Sequence, residues 1–242
     1  MDFDGKDKAS YVQETFNSIA RKYDFMNTIM SLGMDKRWRR IAVSKTGAMS
    51  GMNMLDVCCG TGQLSLELGK IVDREGSVTG LDFSSEMLEV AKHRLSQSPI
   101  RDRIQFVQGN AMELPFSDNF FDAVTVGWGL RNLPDLRRGL REMVRVVKPG
   151  GKVVSLDMAK PSFPGFKQAY WIYFEKLVPF MGKIWANKAS AYQYLHDSAR
   201  EFPAQQELAR IFSECGLIST GYHDLAGGVV AVVWGVKPYC NQ

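Results

Sequence analysis

Small and acidic residues at the ends of two apolar runs could hold a nucleoside ligand. The first run ends in Asp56-Val57 and passes into the turn Cys58-Cys59-Gly60-Thr61-Gly62, and the second extends from Ser77 to Asp82. Glycines let a ligand approach the backbone, and a carboxylate ending the second strand can accept hydrogen bonds from ribose hydroxyls. The pattern predicts a site for an adenosine-bearing cofactor on an α/β sheet, in contact with Asp56, Gly60, Thr61, Gly62 and Asp82.

The turn itself narrows the choice of cofactor. A dinucleotide fold requires a third glycine where Ser65 stands, and no Gly-Lys-Ser/Thr follows that would form a phosphate-binding P-loop. S-adenosyl-L-methionine fits because it has no pyrophosphate and its sulfonium is a cation. We expect Asp82 to accept both ribose hydroxyls and Asp56 to lie near the methionine moiety. Gly109-Asn110-Ala111 should border the adenine, although Asn110 is also a common turn former.

The elements that must position these residues alternate between strands and helices. This alternation predicts a mostly parallel sheet with helices on both faces. Leu217 to Tyr222 and Gly227 to Gly235 predict a closing antiparallel hairpin. The other predicted strands are 52–57, 77–82, 103–108, 121–126 and 152–158, and the helices between them are 63–71, 84–96 and 135–147.

The segments outside this alternation complete a single predicted domain, 1–242. Residues 8–45 have apolar positions at helical spacing and could cover the cofactor site as an N-terminal cap, 1–48. The cofactor-binding core is 49–160, and a C-terminal helix and hairpin fill 203–242. The region 161–202 is rich in aromatic residues. It is either ordinary helix packing or a substrate-side insertion with an apolar pocket for an aromatic or isoprenoid substrate.

Composition excludes several classes of function. The 30 basic and 26 acidic residues leave a net charge of +4, which is too small for a nucleic-acid binder. Four cysteines and three histidines show no metal-ligand spacing, so no metal site is expected. We see no signal peptide or membrane span, which predicts a cytoplasmic protein. The basic cluster 36–40 contains a tryptophan, so contact with an anionic membrane surface is an alternative to a solvated helix face.

Several longer motifs carry a specific resemblance over about Tyr11 to Pro238. With these motifs the chain resembles the class I methyltransferases, and more narrowly the ubiquinone/menaquinone biosynthesis C-methyltransferase family. The matching motifs are Tyr23-Asp24-Phe25-Met26-Asn27 followed by Ser31, Gly33, Arg37 and Trp38, then Gly129-Leu130-Arg131-Asn132, Arg145-Val146-Val147-Lys148-Pro149-Gly150-Gly151, Tyr192-x-Tyr194-Leu195-x-x-Ser198 and Ala226-Gly227-Gly228-Val229-Val230-Ala231.

The resemblance implies a Rossmann-like fold with a seven-stranded, mostly parallel sheet, a C-terminal antiparallel hairpin and an N-terminal helical extension. It implies cofactor contacts at Thr61, Asp82, Asn110 and Ala111, to which we add Gly127. It also implies C-methylation of a polyprenylated quinol. The Cys-Cys-Gly-Thr turn is most similar to the menaquinone-pathway members, which methylate a demethylmenaquinol. Such a substrate predicts transient membrane contact at the inner face, and homodimerisation stays open.

Two pairs of residues are the candidates for chemistry and for gating. Arg131 and Asn132 follow the fourth predicted strand, so we expect Arg131 to stabilise a phenolate and Asn132 to orient a water molecule. A structural ion pair is the alternative for Arg131. Tyr23 and Met26 are candidates for a lid over the cofactor. His196 is a weaker candidate for a base.

Some positions depart from the family pattern, and other functions remain as alternatives. The departures are Asp35, Gln63, Gly127, Asp157-Met158-Ala159 and Trp234. The alternatives are methylation of a benzoquinol in ubiquinone biosynthesis, transfer to oxygen or nitrogen of an unrelated acceptor, and a non-catalytic subunit that binds cofactor or quinone. An NAD-dependent oxidoreductase is disfavoured by the missing third glycine.

Overall fold

A computed structural model describes residues 7–161 and 189–239. Within them, seven strands form one sheet in the order β3-β2-β1-β4-β5-β7-β6. All neighbouring pairs from β3 to β5 are parallel, and β7 is antiparallel to both β5 and β6. The strands are β1 (Asn53–Val57), β2 (Ser77–Asp82), β3 (Ile104–Gln108), β4 (Phe121–Gly127), β5 (Val147–Met158), β6 (Ile218–Leu225) and β7 (Val230–Val236). This confirms the predicted fold class and the C-terminal hairpin.

Helices cover both faces of the sheet. One face packs against the apolar sides of α5 and α7, through residues such as Leu140, Met143 and Phe212. The other face packs against α2, α3 and α4, through residues such as Val43 and Leu68. The described helices are α1 (Lys8–Met30), α2 (Asp35–Thr46), α3 (Gln63–Gly69), α4 (Ser85–Ser96), α5 (Leu136–Val146), α6 (Ala189–Glu201) and α7 (Gln205–Glu214).

The sheet changes direction of winding between β1 and β4. From β1 the chain adds β2 and β3 on one side and then returns to add β4 and β5 on the other. The turns that leave β1 and β4 meet closely, because a Cβ atom on Gly129 would lie 2.6 Å from Cβ of Cys58. Such a switch point leaves a crevice at the carboxyl ends of the strands, which is where ligands bind in open α/β sheets.

The N-terminal region consists of two helices rather than the continuous helical stretch that the sequence pattern suggested. The helix α1 ends at Met30, and α2 begins at Asp35. Between them Leu32 and Gly33 both have positive φ, 52° and 77°, which a continuing helix cannot contain. The glycine in this turn was visible in the sequence, but the apolar periodicity on both sides masked the break.

The start of β5 also differs from the prediction. The run from Lys148 to Gly151 was expected to be a turn between a helix and a strand that begins at 152. Instead Val147 already pairs with Phe121, and the register then shifts so that Lys152 pairs with Ala123. A bulge absorbs the extra residues, because Gly150 has a φ of 80° and its N–H donates to the carbonyl of Lys237 on the antiparallel side.

Part of the predicted domain organisation lies outside the described residues. This applies to most of the predicted insertion at 161–202, including its aromatic residues from Phe163 to Trp185. In the described segments, none of the helices has the length and apolar character needed to cross a bilayer.

Candidate cofactor and acceptor site

A cavity of about 210 Å³ lies at the switch point of the sheet. Its wall combines the ends of β1, β2 and β4, the turn after β3, and one side of α1. Seven of the residues predicted to contact cofactor or acceptor line it: Tyr23, Gly60, Asp82, Asn110, Ala111, Gly127 and Asn132. A second, smaller cavity beside the glycine turn is lined by Asp56 and Thr61, together with Tyr23, Gly60 and Gly127.

Asp82 is held by the backbone at the carboxyl end of β2. Its Oδ2 accepts a hydrogen bond from the N–H of Gly60 at 2.8 Å, and its Oδ1 accepts one from the N–H of Ser84 at 2.9 Å. Each carboxylate oxygen has a second lone pair, so the group can accept further hydrogen bonds from a ligand. Burial raises the pKa of Asp82, and the two backbone hydrogen bonds partly oppose this effect.

Asp56 lies deeper, at the end of β1, and is fully buried. Its two oxygens accept hydrogen bonds from the hydroxyls of Ser65 (2.6 Å) and Thr125 (2.9 Å). Burial raises the pKa of this carboxyl to about 6, and the negative charge of Asp82 adds to the rise against the lowering effect of the hydroxyls. Asp56 is therefore ionised at neutral pH but at a cost in folding free energy.

The two carboxylates make this end of the sheet electronegative. Within the described chain, neither Asp56 nor Asp82 forms an ion pair with a basic residue; their polar partners are hydroxyls and backbone N–H groups. Burial and the same two acids also raise the pKa values of Cys58 and Cys59, so these thiols stay protonated. Buried carboxylates without a counter-charge favour a cationic ligand and disfavour a pyrophosphate. The two carboxylates thus fit the positively charged sulfonium and ammonium groups of S-adenosylmethionine.

The opposite side of the cavity is suited to a flat ring. Ala111 is buried there, whereas the side-chain oxygen of Asn110 accepts a hydrogen bond from the N–H of Met112, so this oxygen forms the turn. Apolar side chains that the sequence analysis did not single out complete this wall: Leu81, Phe83, Met87 and Met112. Phe83 directly follows Asp82 and Met87 lies in the first turn of α4, so their position after the second strand was the available signal.

Gly62 lies behind this wall rather than in it. It has a φ of 76° and immediately precedes α3, and a Cβ atom there would lie 2.7 Å from the ring of Phe106. Its glycine character therefore follows from the turn and from packing against β3. Contact between Gly62 and the cofactor stays a prediction.

Two non-glycine residues adopt left-handed backbone conformations at the cavity. Cys58, after β1, has a φ of 54°, and Trp128, after β4, has a φ of 55°. Each costs on the order of 1 to 3 kcal/mol, and such strain is concentrated at ligand sites. Both residues line the larger cavity and the cavity beside the glycine turn. Their left-handed conformations turn the backbone after β1 and β4 along the cavity walls.

Arg131 forms a buried ion pair with Asp157, which lies on β5. Its Nη1 donates to Oδ1 of Asp157 at 2.6 Å and to the carbonyl of Trp128 at 2.9 Å. The two side chains are 5% and 1% exposed, and the Nε of Arg131 and the Oδ2 of Asp157 have no hydrogen-bond partner in the described chain. The structural ion pair that was the alternative for Arg131 is thus present, and the departure at Asp157 supplies its partner.

The charge of Arg131 is fixed by this environment. Burial lowers the pKa of the guanidinium, but the charge and hydrogen bond of Asp157, together with Tyr23 and Tyr194, outweigh burial and the pKa is raised. Arg131 is therefore a permanent cation and cannot act as a base. Beside it, burial raises the pKa of Tyr194 to about 12, so its phenol stays protonated and donates to Oδ1 of Asn132 at 3.0 Å.

A third cavity separates Arg131 from the cofactor wall. It is small, and Arg131, Tyr194 and Ser198 meet apolar residues of α1 there, including Met26. Asn132 therefore faces the larger cavity while Arg131 faces the smaller one. Tyr23 lines all three cavities and connects them. His196 lies beside Asp197, 3.0 Å from its Oδ1, and lines none of the three cavities.

The helix α1 crosses the open side of the crevice and is attached at several points. Lys8 donates to the carbonyl of Leu133 at 2.8 Å, and Gln13 donates to the carbonyl of Phe83 at 3.1 Å. Farther along, Asp24 accepts from the hydroxyl of Thr61 at 2.7 Å and pairs with Arg94. These polar contacts join α1 to the turns that follow β1, β2 and β4, so α1 lies across the ends of all three strands.

The Asp56→Asn variant tests the electronegative site without a ligand. Because native Asp56 holds a proton up to about pH 6 and the unfolded group only to about 4, the contribution of Asp56 to wild-type stability falls as pH rises through that window. The variant should lose this slope and be more stable at pH 7, by up to about 3 kcal/mol. Urea unfolding of the ligand-free protein at pH 4, 5, 6 and 7 measures the difference.

The matched control is Asp102→Asn, which neutralises an exposed carboxylate far from the cavity. It should leave the pH slope in place. An Asp56→Asn protein that keeps the wild-type slope, or is destabilised at pH 7, would contradict the charge assignment.

Comparison with known proteins agrees with this geometry. The model of the ubiE/COQ5 methyltransferase family matches residues 4–237. Demethylmenaquinone methyltransferase of Desulfitobacterium hafniense (strain Y51) is 67% identical over 98% of this chain and 94% of its own. That of Shouchella clausii (strain KSM-K16) is 44% identical over 96% and 98%. A SAM-dependent methyltransferase from Thermotoga maritima, 18% identical, has a TM-score of 0.66 over 93% of this chain and 99% of its own, and supports the fold. This chain therefore belongs to the ubiE/COQ5 methyltransferase family.

Proposed function

We propose that this methyltransferase transfers a methyl group from S-adenosyl-L-methionine to a ring carbon of a demethylmenaquinol and so forms a menaquinol. The single observation that carries the cofactor is the pair Asp56 and Asp82, two buried carboxylates without a basic partner in the described chain. The acceptor is supported by the relatives, which are demethylmenaquinone methyltransferases, and that of Desulfitobacterium hafniense is 67% identical over nearly the whole chain. When bound, the cofactor supplies a methyl group made electrophilic by its sulfonium.

In the proposed site, Asp82 accepts hydrogen bonds from the ribose hydroxyls and Asp56 lies near the cationic methionine end. Gly60, Thr61 and Gly127 shape the wall between them, and Asn110 with Ala111 borders the adenine side. The apolar wall formed by Phe83, Met87 and Met112 excludes water from that side of the cavity. Exclusion of water strengthens the attraction between the carboxylates and a cation.

The acceptor needs help to lose its phenolic proton, because a ring carbon becomes nucleophilic as negative charge develops on the quinol oxygen. Arg131 can stabilise that charge, since Asp157 keeps it cationic and fixed in position. Asn132 faces the larger cavity and is held by Tyr194, so it can orient the quinol oxygen or a water molecule that takes the proton.

We further propose that the N-terminal segment, 1–48, acts as a cap over the site. The contacts of α1 to Thr61, Phe83 and Leu133 support this role, because each attaches the helix to a different strand end. Tyr23 lies where the three cavities meet, and Met26 lines the cavity beside Arg131. A ligand that enters the crevice must pass α1.

The proposed substrate also implies contact with a membrane, because a polyprenylated quinol resides in the bilayer. We propose peripheral, transient association with the inner face. Predicted apolar helix faces around 166–185 could contribute to this contact, but they lie outside the described residues. The basic cluster 36–40 lies within them.

An acceptor panel tests the function directly. The purified protein with methyl-labelled cofactor should methylate a reduced demethylmenaquinol, and the product mass should rise by one methyl group in place of hydrogen. Turnover should be lower with a benzoquinol acceptor that lacks the second ring, since the relatives are named for the naphthoquinol reaction. Mass spectrometry of the quinone fraction and release of labelled product measure both.

Asp82→Asn tests the cofactor side of the same proposal. Its matched control is Glu89→Gln, which neutralises an exposed acid on α4. Loss of charge-assisted hydrogen bonds should raise the Kd of the cofactor in calorimetry by about 10- to 100-fold for Asp82→Asn. The Glu89→Gln protein should bind as the wild type does. Equal binding by all three proteins, or no methylation of any quinol, would refute the proposal.

Arg131→Lys tests the role of the guanidinium. The variant keeps the charge but loses the planar fork that reaches both Asp157 and Trp128. We expect kcat to fall about 10²-fold while the Kd of the cofactor changes less than about twofold, since Arg131 lies outside the cofactor wall. Arg145→Lys, which disturbs a comparable ion-pair network away from the cavities, is the control. Unchanged kcat in a folded Arg131→Lys protein would leave Arg131 with a structural role only.

Asp24→Asn tests the cap. Removal of the ion pair with Arg94 should weaken attachment of α1, so that chymotrypsin cuts within the first forty residues about fivefold faster. The cofactor should slow cutting of the wild type. Lys22→Gln, an exposed residue of the same helix, should be cut at the wild-type rate. If the cofactor gives no protection to the wild type, α1 is packing and not a cap.

A further inference from the structure

The turn between α1 and α2 presents apolar side chains to solvent. Leu32 is 82% exposed and Met34 is 40% exposed. Leu32 also has a φ of 52°, a conformation that glycine or asparagine adopts with less strain. A strained leucine without burial does not stabilise the fold, so a contact outside this chain is the more economical reason for its presence. We refer to 32–34 as the apolar tip.

Exposed cations border the apolar tip on the first turns of α2. Lys36, Arg37 and Arg40 all face solvent, and none forms an ion pair with any residue in 7–161 or 189–239. By contrast, Arg39 on the inward side is buried and pairs with Asp35 at 2.5 Å. Lys36 and Arg40 are one helical turn apart and share a face with their neighbour Arg37. We refer to these three residues as the basic shoulder.

The apolar tip also lies at the end of a row of side chains on α1 that line the cavity beside Arg131. The cavity beside Arg131 is lined by Ile19, Tyr23, Met26 and Met30, which recur every three or four residues along one face of α1. Met30 is the last residue of α1, and Leu32 follows two positions later. The apolar face of α1 thus leads from the guanidinium toward the exposed turn.

We infer that the apolar tip inserts into the interfacial region of an anionic bilayer, with the basic shoulder on the lipid headgroups, and that the apolar face of α1 guides the prenyl tail of the acceptor from the bilayer to Arg131. The inference rests on the proposed function for the identity of the acceptor. Two apolar side chains beside three cations are typical of shallow, reversible membrane insertion, because apolar burial and headgroup attraction add.

The charge of this surface favours lipid over other occupants. A second copy of the chain would bring its own basic shoulder to the same face, so the two would repel. A stable protein interface buries roughly 800 Å² on each partner, which two side chains do not provide. An anionic bilayer matches the charge and needs only shallow insertion.

Vesicle partition of a double variant tests the inference. In Leu32→Asn/Met34→Gln, asparagine accepts the left-handed conformation, so the fold should keep its stability, as thermal unfolding will show. We expect binding to vesicles of phosphatidylglycerol and phosphatidylcholine to weaken at least about tenfold in a flotation assay. Met49→Gln removes a 61% exposed apolar side chain beyond the far end of α2 and should bind as the wild type does. Replacing the three residues of the basic shoulder by glutamine should flatten the salt dependence of binding.

Turnover separates this inference from the proposed function. The double variant should lose methylation of a long-tail demethylmenaquinol embedded in vesicles and keep the wild-type rate on a short-tail acceptor in solution. The inference would be overturned if the double variant bound vesicles as well as the wild type does. It would also be overturned if the wild type sedimented as a dimer and the double variant as a monomer, with no difference in vesicle binding. A wild-type protein that binds vesicles through the tip but methylates neither acceptor would refute the proposed function and leave the docking surface standing.

Discussion

The site depends on negative charge that is buried at the carboxyl edge of the sheet and has no basic partner among the described residues. Asp56 and Asp82 end adjacent strands, and the fold places both where water is excluded. A protein selected only for stability would pair or replace such groups, because an unpaired buried carboxylate costs folding free energy. Here the cost is lowered by hydroxyls and backbone N–H groups, which stabilise charge but do not cancel it. In the proposed function a cationic cofactor supplies the missing charge, so the ligand would complete the electrostatics of this edge of the sheet.

The N-terminal helix gives this site its second constraint. Without α1 the crevice would open to solvent, and the attraction between carboxylates and a cation would be screened. The helix is attached partly through polar contacts at strand ends, such as Asp24 to Thr61 and Arg94, and none of its residues belongs to the apolar clusters that flank the sheet in the described chain. Partly exposed polar contacts are weak enough to break during ligand exchange. The same helix also carries the apolar face beside Arg131, so one element borders both the larger cavity and the cavity beside Arg131.

The sequence predicts the parts of this arrangement that follow from strand ends. Asp56, Asp82 and Asn110 each follow an apolar run, and parallel strands bring their carboxyl ends to one edge, so these positions could be placed before the structure. The partner of Arg131 could not, because Asp157 lies on a different strand and was visible only as a departure from a family pattern. The break at Leu32–Gly33 was hidden by apolar periodicity on both sides. The contacts of α1 depend on where the helix lies across the sheet, which local pattern does not encode.

The pair Arg131–Asp157 shows how the two halves of the site differ. The cofactor side leaves carboxylates without a cation, whereas the acceptor side holds a cation already matched by a carboxylate. Because Asp157 already pairs with the guanidinium, Arg131 attracts a neutral quinol only weakly. This is appropriate for a guanidinium that is proposed to act when the quinol oxygen becomes negative. Charge that develops on the acceptor during the reaction competes with Asp157 for the guanidinium, and the atoms of this pair without hydrogen bonds leave room for that competition. If Arg131 acts as proposed, this arrangement would favour the transition state over the bound acceptor, which is the condition for a gain in rate rather than in affinity alone.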